Sequence, residues 1–402
     1  MLEDRRTGPG GTGRAGVATV AAYVVAGAVH LLTAGLLLSG VLLIVLGFTT
    51  VVRPLLGLPL VIMALVLRPR LRRLDPDLPT LRRADAPALF ELLDRIADAV
   101  GVRRPDTVQL TAECAAAVFT HGFLRRRCLA LGVPLWATHS PRQRVAVLAR
   151  AMADLDPGNV RRGAFVGMAL RSLTAGADLM RPPGRAVVPA NGMSDARHAA
   201  DVMEGARRFN ARTRAGTWAL WLPGAAATGT VRLLLWLTGP ATRRAALAAD
   251  DASARAASTE AVIAALRDRS LARAVVVETH RLAVEARTVV RDRSATARPE
   301  EVLWDRVARH TAGLRERRAG APPDRPGAQD TPCEAAPWPS EAQRIKRLAG
   351  TPHHPAAITV DGPGRTRIEA ELRPSAIAVA RRVMRDGVPL AYEPASVHRR
   401  YQ

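Results

Sequence analysis

The chain has 402 residues and a net charge of +22, and it is 48% hydrophobic but only 4% aromatic. A charge of that size draws a protein to anionic surfaces. No zinc finger, RNP-type aromatic strand or helix-turn-helix is legible, and aromatics are too few for a base-stacking platform, so the expected partner is a lipid bilayer with anionic head groups and not nucleic acid.

Residues 1–16 form a Gly-rich basic tail, expected to be disordered. From 15 to 52 no Asp, Glu, Lys or Arg occurs, and after Arg53 the apolar run resumes as PLLGLPLVIMALVL. One membrane span needs about 20 residues, so 17–67 is long enough for two, turning near Phe48–Arg53. The second, with Pro54 and Pro59, is the weaker, and a buried or interfacial helix is the alternative for 54–67. Arg5, Arg6 and Arg14 precede the segment, and Arg68, Arg70, Arg72 and Arg73 follow it. Basic flanks on both sides predict a hairpin with both ends in the cytoplasm: a multi-pass protein of the cell membrane with its main domain, 68–318, cytoplasmic.

APALFELLDRIADAVGV (86–102) predicts an amphipathic helix with Leu89, Leu92, Leu93, Ile96 and Val100 on one face and Gly101 as its stop. TVQLTAE, AAAVFTH and RRCLALG, within 107–132, predict three short strands, and Cys114 and Cys128 are placed to face each other across a hairpin. With Cys333 the cysteines number three and lack ligand-like spacing, which argues against a disulfide framework. Ser140-Pro141-Arg142-Gln143 is a capping box with proline at the first helical position. The helix it opens carries a stripe of Val145, Leu148, Met152 and Leu155 and stops at Pro157-Gly158. A further helix follows in AFVGMALRSLTAG. Residues 217–239, apolar but interrupted by Pro223 and Arg232, predict a buried or membrane-surface helical pair. Helices are expected over 241–316, a Pro-rich linker or insertion over 319–337, and a closing part of the domain over 338–402. In that last part DGPGRTR (361–367) has turn chemistry, RTRIEAEL predicts a strand and PSAIAVARRVMRDG a helix.

These pieces resemble, in order and spacing, the membrane-bound zinc metallopeptidases of the HtpX and CAAX-prenyl-protease type. A strand ending in CLALGVPL runs into a capped helix with AVLA, which in that family precedes H-E-x-x-H; RRAALAAD (243–250) resembles the family's R-R-x-E-x-x-A-D; and WPSEAQRIKRL (338–348) resembles a late H-P-S-x-x-x-R-I-x-x-L element. The resemblance implies an α+β, mostly helical fold, with the N-terminal transmembrane hairpin followed by a zincin-like domain carrying a small β-sheet. It also implies a peptide-binding edge strand at Ala115, Ala116, Ala117 and Val118, with Ala115 where the family has asparagine.

The chemistry departs from the family. Its two zinc-binding histidines are replaced by Arg150 and Asp154, its general base by Ala151, and its third ligand, a glutamate, by Ala246. Arginine has no lone pair to offer a metal and alanine neither ligates nor accepts a proton, so no metal or other cofactor is expected. Arg150 and Asp154, four apart on one helical face, are spaced either to pair or to remain separately solvated. None of the nine histidines has a second histidine four residues on, and no G-x-S-x-G or Walker-type loop occurs. The expected function is therefore that of a catalytically inactive, membrane-anchored metallopeptidase homologue that binds a protein or peptide. Two alternatives are an active zinc endopeptidase of membrane-protein quality control, with ligands at other positions, and a membrane adaptor without a peptide cleft.

Overall fold

The structure is a computed structural model that describes residues 10–47, 52–68, 74–122, 126–155, 164–180, 196–288, 298–320 and 339–387. Calls that fall on 1–9, Pro157-Gly158, most of the 319–337 linker, Cys333 and 388–402 lie outside these residues. In chain order the elements are α1 (Gly10–Val45), α2 (Val52–Val66), β1 (Thr80–Leu81), α3 (Pro87–Val100), β2 (Thr107–Thr111), β3 (Ala116–His121) and β4 (Arg126–Gly132). Then come α4 (Val133–Thr138), α5 (Pro141–Ala153), α6 (Ala164–Met180), α7 (Ala196–Ala257), α8 (Thr259–Asp268), α9 (Ala272–Thr288), α10 (Pro299–Gly320), α11 (Glu341–Ala349) and α12 (Gly362–Asp386). The fold is mostly helical α+β with one small mixed sheet. It divides into two compact units, one of residues 1–70 with 164–239 and one of 71–163 with 240–402. The division therefore cuts across the contiguous 68–318 stretch expected from the sequence.

The first unit is built on α1, which begins at Gly10 and so takes in part of the expected tail. Its stretch Gly16–Val45 is long and apolar enough to cross a membrane. α2, at 15 residues, spans about 22 Å, short of a hydrocarbon core of about 30 Å. The two run antiparallel with their backbones in close approach at paired glycines. A Cβ on Gly57 would lie 2.7 Å from the Gly40 carbonyl oxygen, and one on Gly40 would lie 2.8 Å from Val61 Cγ2. Small residues at a crossing let apolar helices pack by shape alone, as helices do in lipid. On α1, Ala22, Ala26, Val29 and Thr33 are buried, whereas Val17, Val24, Leu31, Leu38 and Leu42 are exposed. α6 packs on α1 through Phe165, whose ring stacks with Tyr23 at 6.2 Å and meets the His30 ring edge-on at 4.8 Å. Residues 217–239 are not a helical pair: they belong to the single long helix α7, which continues through Pro223. Breaking an apolar helix would strip further backbone groups of their partners, so one missing N–H is the smaller loss.

The second unit holds the sheet, ordered β1-β2-β4-β3, with β2 and β4 parallel and the outer pairs antiparallel. Val108, Leu110, Val118, Leu129 and Leu131 turn one face into the main core, where they meet Leu89, Phe90, Leu93 and Ile96 of α3 and Val145 and Leu148 of α5. Phe119, Cys128 and Ala130 pack on the other face with Leu74. Cys128 stands opposite Phe119, so the two cysteines do not face each other as expected; Cys114 lies in the loop before β3.

The expected boundaries of α3 hold, with Gly101 left-handed at φ 74°. Its N-terminus has no local cap. The Glu371 carboxylate of α12 accepts instead from the amides of Ala88 and Leu89, at 2.9 and 3.0 Å. RTRIEAEL is not a strand, and DGPGRTR is not a free turn. Asp361 caps α12, and Ile368, Leu372, Val379, Ala380 and Val383 make one helical stripe into the core. Pro374 interrupts nothing, because it and Ala370, whose carbonyl it frees, lie on the exposed face.

Candidate functional site

The capping box at Ser140 forms as expected and fixes the start of α5. The helix therefore presents Arg150 on its last turn, and Asp154 as its C-terminal cap residue. Arg150 takes its direct partner from another helix. Its Nη1 donates to Oδ1 of Asp250 on α7, and Arg344 of α11 grips the same carboxylate twice, Nη2 to Oδ1 at 2.6 Å and Nε to Oδ2 at 2.7 Å. Asp250 and Arg344 are buried, with side-chain exposures of 1% and 4%, and Arg150 is partly buried at 15%.

One member of this cluster comes from each of the three segments singled out in the sequence, the AVLA helix, RRAALAAD and WPSEAQRIKRL. Asp250 and Arg344 were not expected as site residues. They lie about a hundred residues from their partners, and no local periodicity signals such a contact.

The electrostatics keep both arginines charged. Burial alone would weaken the charge of Arg150, but the fields of Asp250 and Asp154 and the hydrogen bond to Asp250 hold its pKa above the ordinary value. Burial and the nearby Arg150 push Arg344 down to about 10, against the pull of Asp250, so it stays protonated at neutral pH. Of the remaining sequence-predicted positions, Ala151 and Ala246 are buried at 3% and 1% and pack as small core residues. Among the described residues no group of three or more His, Cys, Asp or Glu is placed to hold a metal ion.

The same helices carry a second polar network. Arg347 pairs with Asp251 through two bonds of 3.0 and 2.6 Å, and Ser253 Oγ donates to the Ala146 carbonyl oxygen at 2.6 Å. At the other end of α5, Gln143 Nε2 donates to Asp268 at 2.8 Å, and Arg315 holds the same carboxylate. Beside them, burial pushes His139 down to about 4, while Asp268 pulls the other way. Between pH 6.5 and 4 the unfolded chain therefore binds a proton that the folded chain refuses, and stability falls as pH falls through that window. The contribution is roughly 2–3 kcal/mol. Urea unfolding at pH 7 and pH 4.5 should give a shallower pH dependence for His139→Gln by about that amount; parallel curves would refute it.

β3 is a sheet edge, as the peptide-binding expectation requires. Gly132 N–H donates to the Ala115 carbonyl oxygen at 2.9 Å, which fixes the hydrogen-bonding phase of the ladder. Ala117, Phe119 and His121 then bond inward to β4, and the backbone groups of Ala116, Val118 and Thr120 point out from the edge. Ala117 and Val118 bury their side chains, and Ala116 is half-buried. The loop before β3 lies tight on Gly132: a Cβ there would run into the Glu113 carbonyl oxygen and come within 2.8 Å of that of Ala115.

Comparison with protein-family models, with curated proteins and with solved structures finds no match to this chain.

Proposed function

We propose that the protein is a membrane-anchored, non-catalytic relative of the zinc metallopeptidases that binds an extended segment of a partner protein along β3. The observation that carries this reading is the Arg150–Asp250–Arg344 cluster. The three sequence segments that resemble the metallopeptidase motifs meet there, and a guanidinium stands at the first ligand position. Arginine offers a metal no electron pair, and Ala151 next to it offers water no base. What remains usable is the outward edge of β3, whose N–H and C=O groups at Ala116, Val118 and Thr120 have no partner among the described residues and accept an added strand without regard to most of its side chains.

In this reading α1 crosses the bilayer, and α2 returns against it through the Gly40–Gly57 approach, with Arg53 reaching to the interface. The exposed leucines and valines of both helices face lipid. The basic flanks keep both ends on the cytoplasmic side, near anionic head groups.

The test uses a proline that removes one outward amide and leaves the ladder to β4 whole. Ala116→Pro does so, because proline is tolerated on an edge strand where its N–H would face out. A fluorescein-labelled, Val/Thr-rich decapeptide, followed by anisotropy with the detergent-solubilised protein, should bind Ala116→Pro about five- to tenfold more weakly than the parent, the equivalent of one hydrogen bond. Unchanged affinity would rule out strand addition at this edge.

A further inference from the structure

We infer that α7 also crosses the bilayer, over its stretch 217–239, with Trp236 at one head-group level. The inference rests on the reading that α1 spans the membrane, and it adds a span that the α1–α2 hairpin does not contain. From 215 to 242 the only charged residue is Arg232; Arg212 and Arg214 stand before the stretch, and Arg243 and Arg244 after it. α7 runs through it as one unbroken helix, so 217–239 reaches about 34 Å, enough for a hydrocarbon core of about 30 Å.

Packing decides between a core helix and one that faces lipid. Leu234 and Leu237 are buried, whereas Ala225, Ala226, Gly229, Leu233 and Trp236 are exposed, Trp236 at 75%. The helix is apolar on its open side as well as on its packed side. That suits immersion in lipid, where a helix lying on the membrane surface would turn a polar face outward. Residues up to Gly239 belong to the compact unit that holds α1 and α2, and the helix leaves that unit at Pro240, between Trp236 and the exposed Arg243 and Arg244. Tryptophan followed by arginine marks a membrane interface, with the guanidiniums on anionic head groups. Trp218 and Trp221 stand after Arg214 at the other end of the stretch, about 22–27 Å away along the axis. Arg232 lies one turn from Trp236, about 6 Å deeper, within the reach of a snorkelling side chain.

Depth measurements on the full chain in phosphatidylcholine–phosphatidylglycerol nanodiscs test this. In a Cys114→Ala/Cys128→Ala/Cys333→Ala background, the dye NBD is attached through Ala226→Cys, Trp236→Cys, Leu38→Cys on α1 or Val277→Cys on α9. Each label is quenched by lipid bearing a nitroxide either just below the head group or deep in the acyl chain. Ala226 lies ten residues from Trp236, about 15 Å deeper, so its label should be quenched at least about 1.5-fold more by the deep nitroxide. The label at 236 should show the reverse preference, and the one at 277 should be quenched by aqueous iodide and by neither lipid. The native chain gives a second reading without labels: lipid brominated near the head group should quench a smaller share of its tryptophan emission after Trp236→Phe. If both α7 labels prefer the shallow nitroxide, or if neither responds to lipid, the span is overturned; so is the placement of Trp236 if Trp236→Phe changes nothing. Leu38 separates the two readings. Quenched from lipid while the α7 labels are not, it leaves the α1 span standing and the α7 span refuted; unquenched, it refutes the α1 span as well.

Discussion

Replacing Asp250 by alanine should cost about 3–5 kcal/mol of stability, the largest effect expected from any single polar side chain here. Asp250 makes the direct carboxylate contacts to both arginines and is 1% exposed, between the buried Arg344 and the partly buried Arg150. Removing it leaves two like charges facing each other with their desolvation uncompensated. The arginines would have to expose themselves to water, pulling α5 and α11 away from α7. Urea unfolding followed by tryptophan fluorescence should report this as a lower midpoint at unchanged slope. A triple variant, Arg150→Met with Asp250→Leu and Arg344→Met, should recover most of the loss, because apolar residues of similar volume replace a buried ion cluster at little net cost. If Asp250→Ala is as stable as the parent, the cluster is not closed to water.

Gly132→Ala should cost at least about 3 kcal/mol, through collision and not through charge. The added methyl would run into the Glu113 carbonyl oxygen, and the second obstacle, the Ala115 oxygen, is the acceptor that sets the β3 register. Neither is the end of a flexible side chain, so the loop before β3 must lift and take the edge strand with it. Ala116→Pro touches the same edge but leaves the ladder intact. The two variants therefore differ: Gly132→Ala lowers stability and peptide binding together, whereas Ala116→Pro lowers binding alone. A Gly132→Ala protein as stable as the parent would mean that the 112–115 loop is not held against β4.

Local chemistry was readable in the sequence wherever the determinant was local. The stripe from Leu89 to Ile96, the left-handed Gly101 and the Ser140–Gln143 box each act within one or two turns, and each forms as expected. RTRIEAEL misled because Thr366, Ile368, Ala370 and Leu372 alternate like a strand, while Ile368 and Leu372 are also four apart and continue into Val379 and Val383. A period of two and a period near four coincide over so short a window. Pro223 read as a break because proline removes a backbone donor, yet α7 runs through it; α12 likewise runs through Pro374, where the freed carbonyl faces water. The site was legible only in fragments. Arg150 was singled out with Asp154 as its neighbour in sequence, and the direct partner proved to be Asp250, a hundred residues on. His139 carried no signal at all, since its place depends on α8 and α10 closing a cleft around it.

The central claim is that the Arg150–Asp250–Arg344 cluster occupies what a zinc centre would need, and that the protein works by binding. Elemental mass spectrometry of the detergent-purified protein after mild dialysis tests it most directly. The account predicts zinc far below one atom per chain, with peptide binding unaffected by a chelator. Close to one zinc per chain, retained on dialysis and lost together with hydrolysis of a protein substrate, would contradict it.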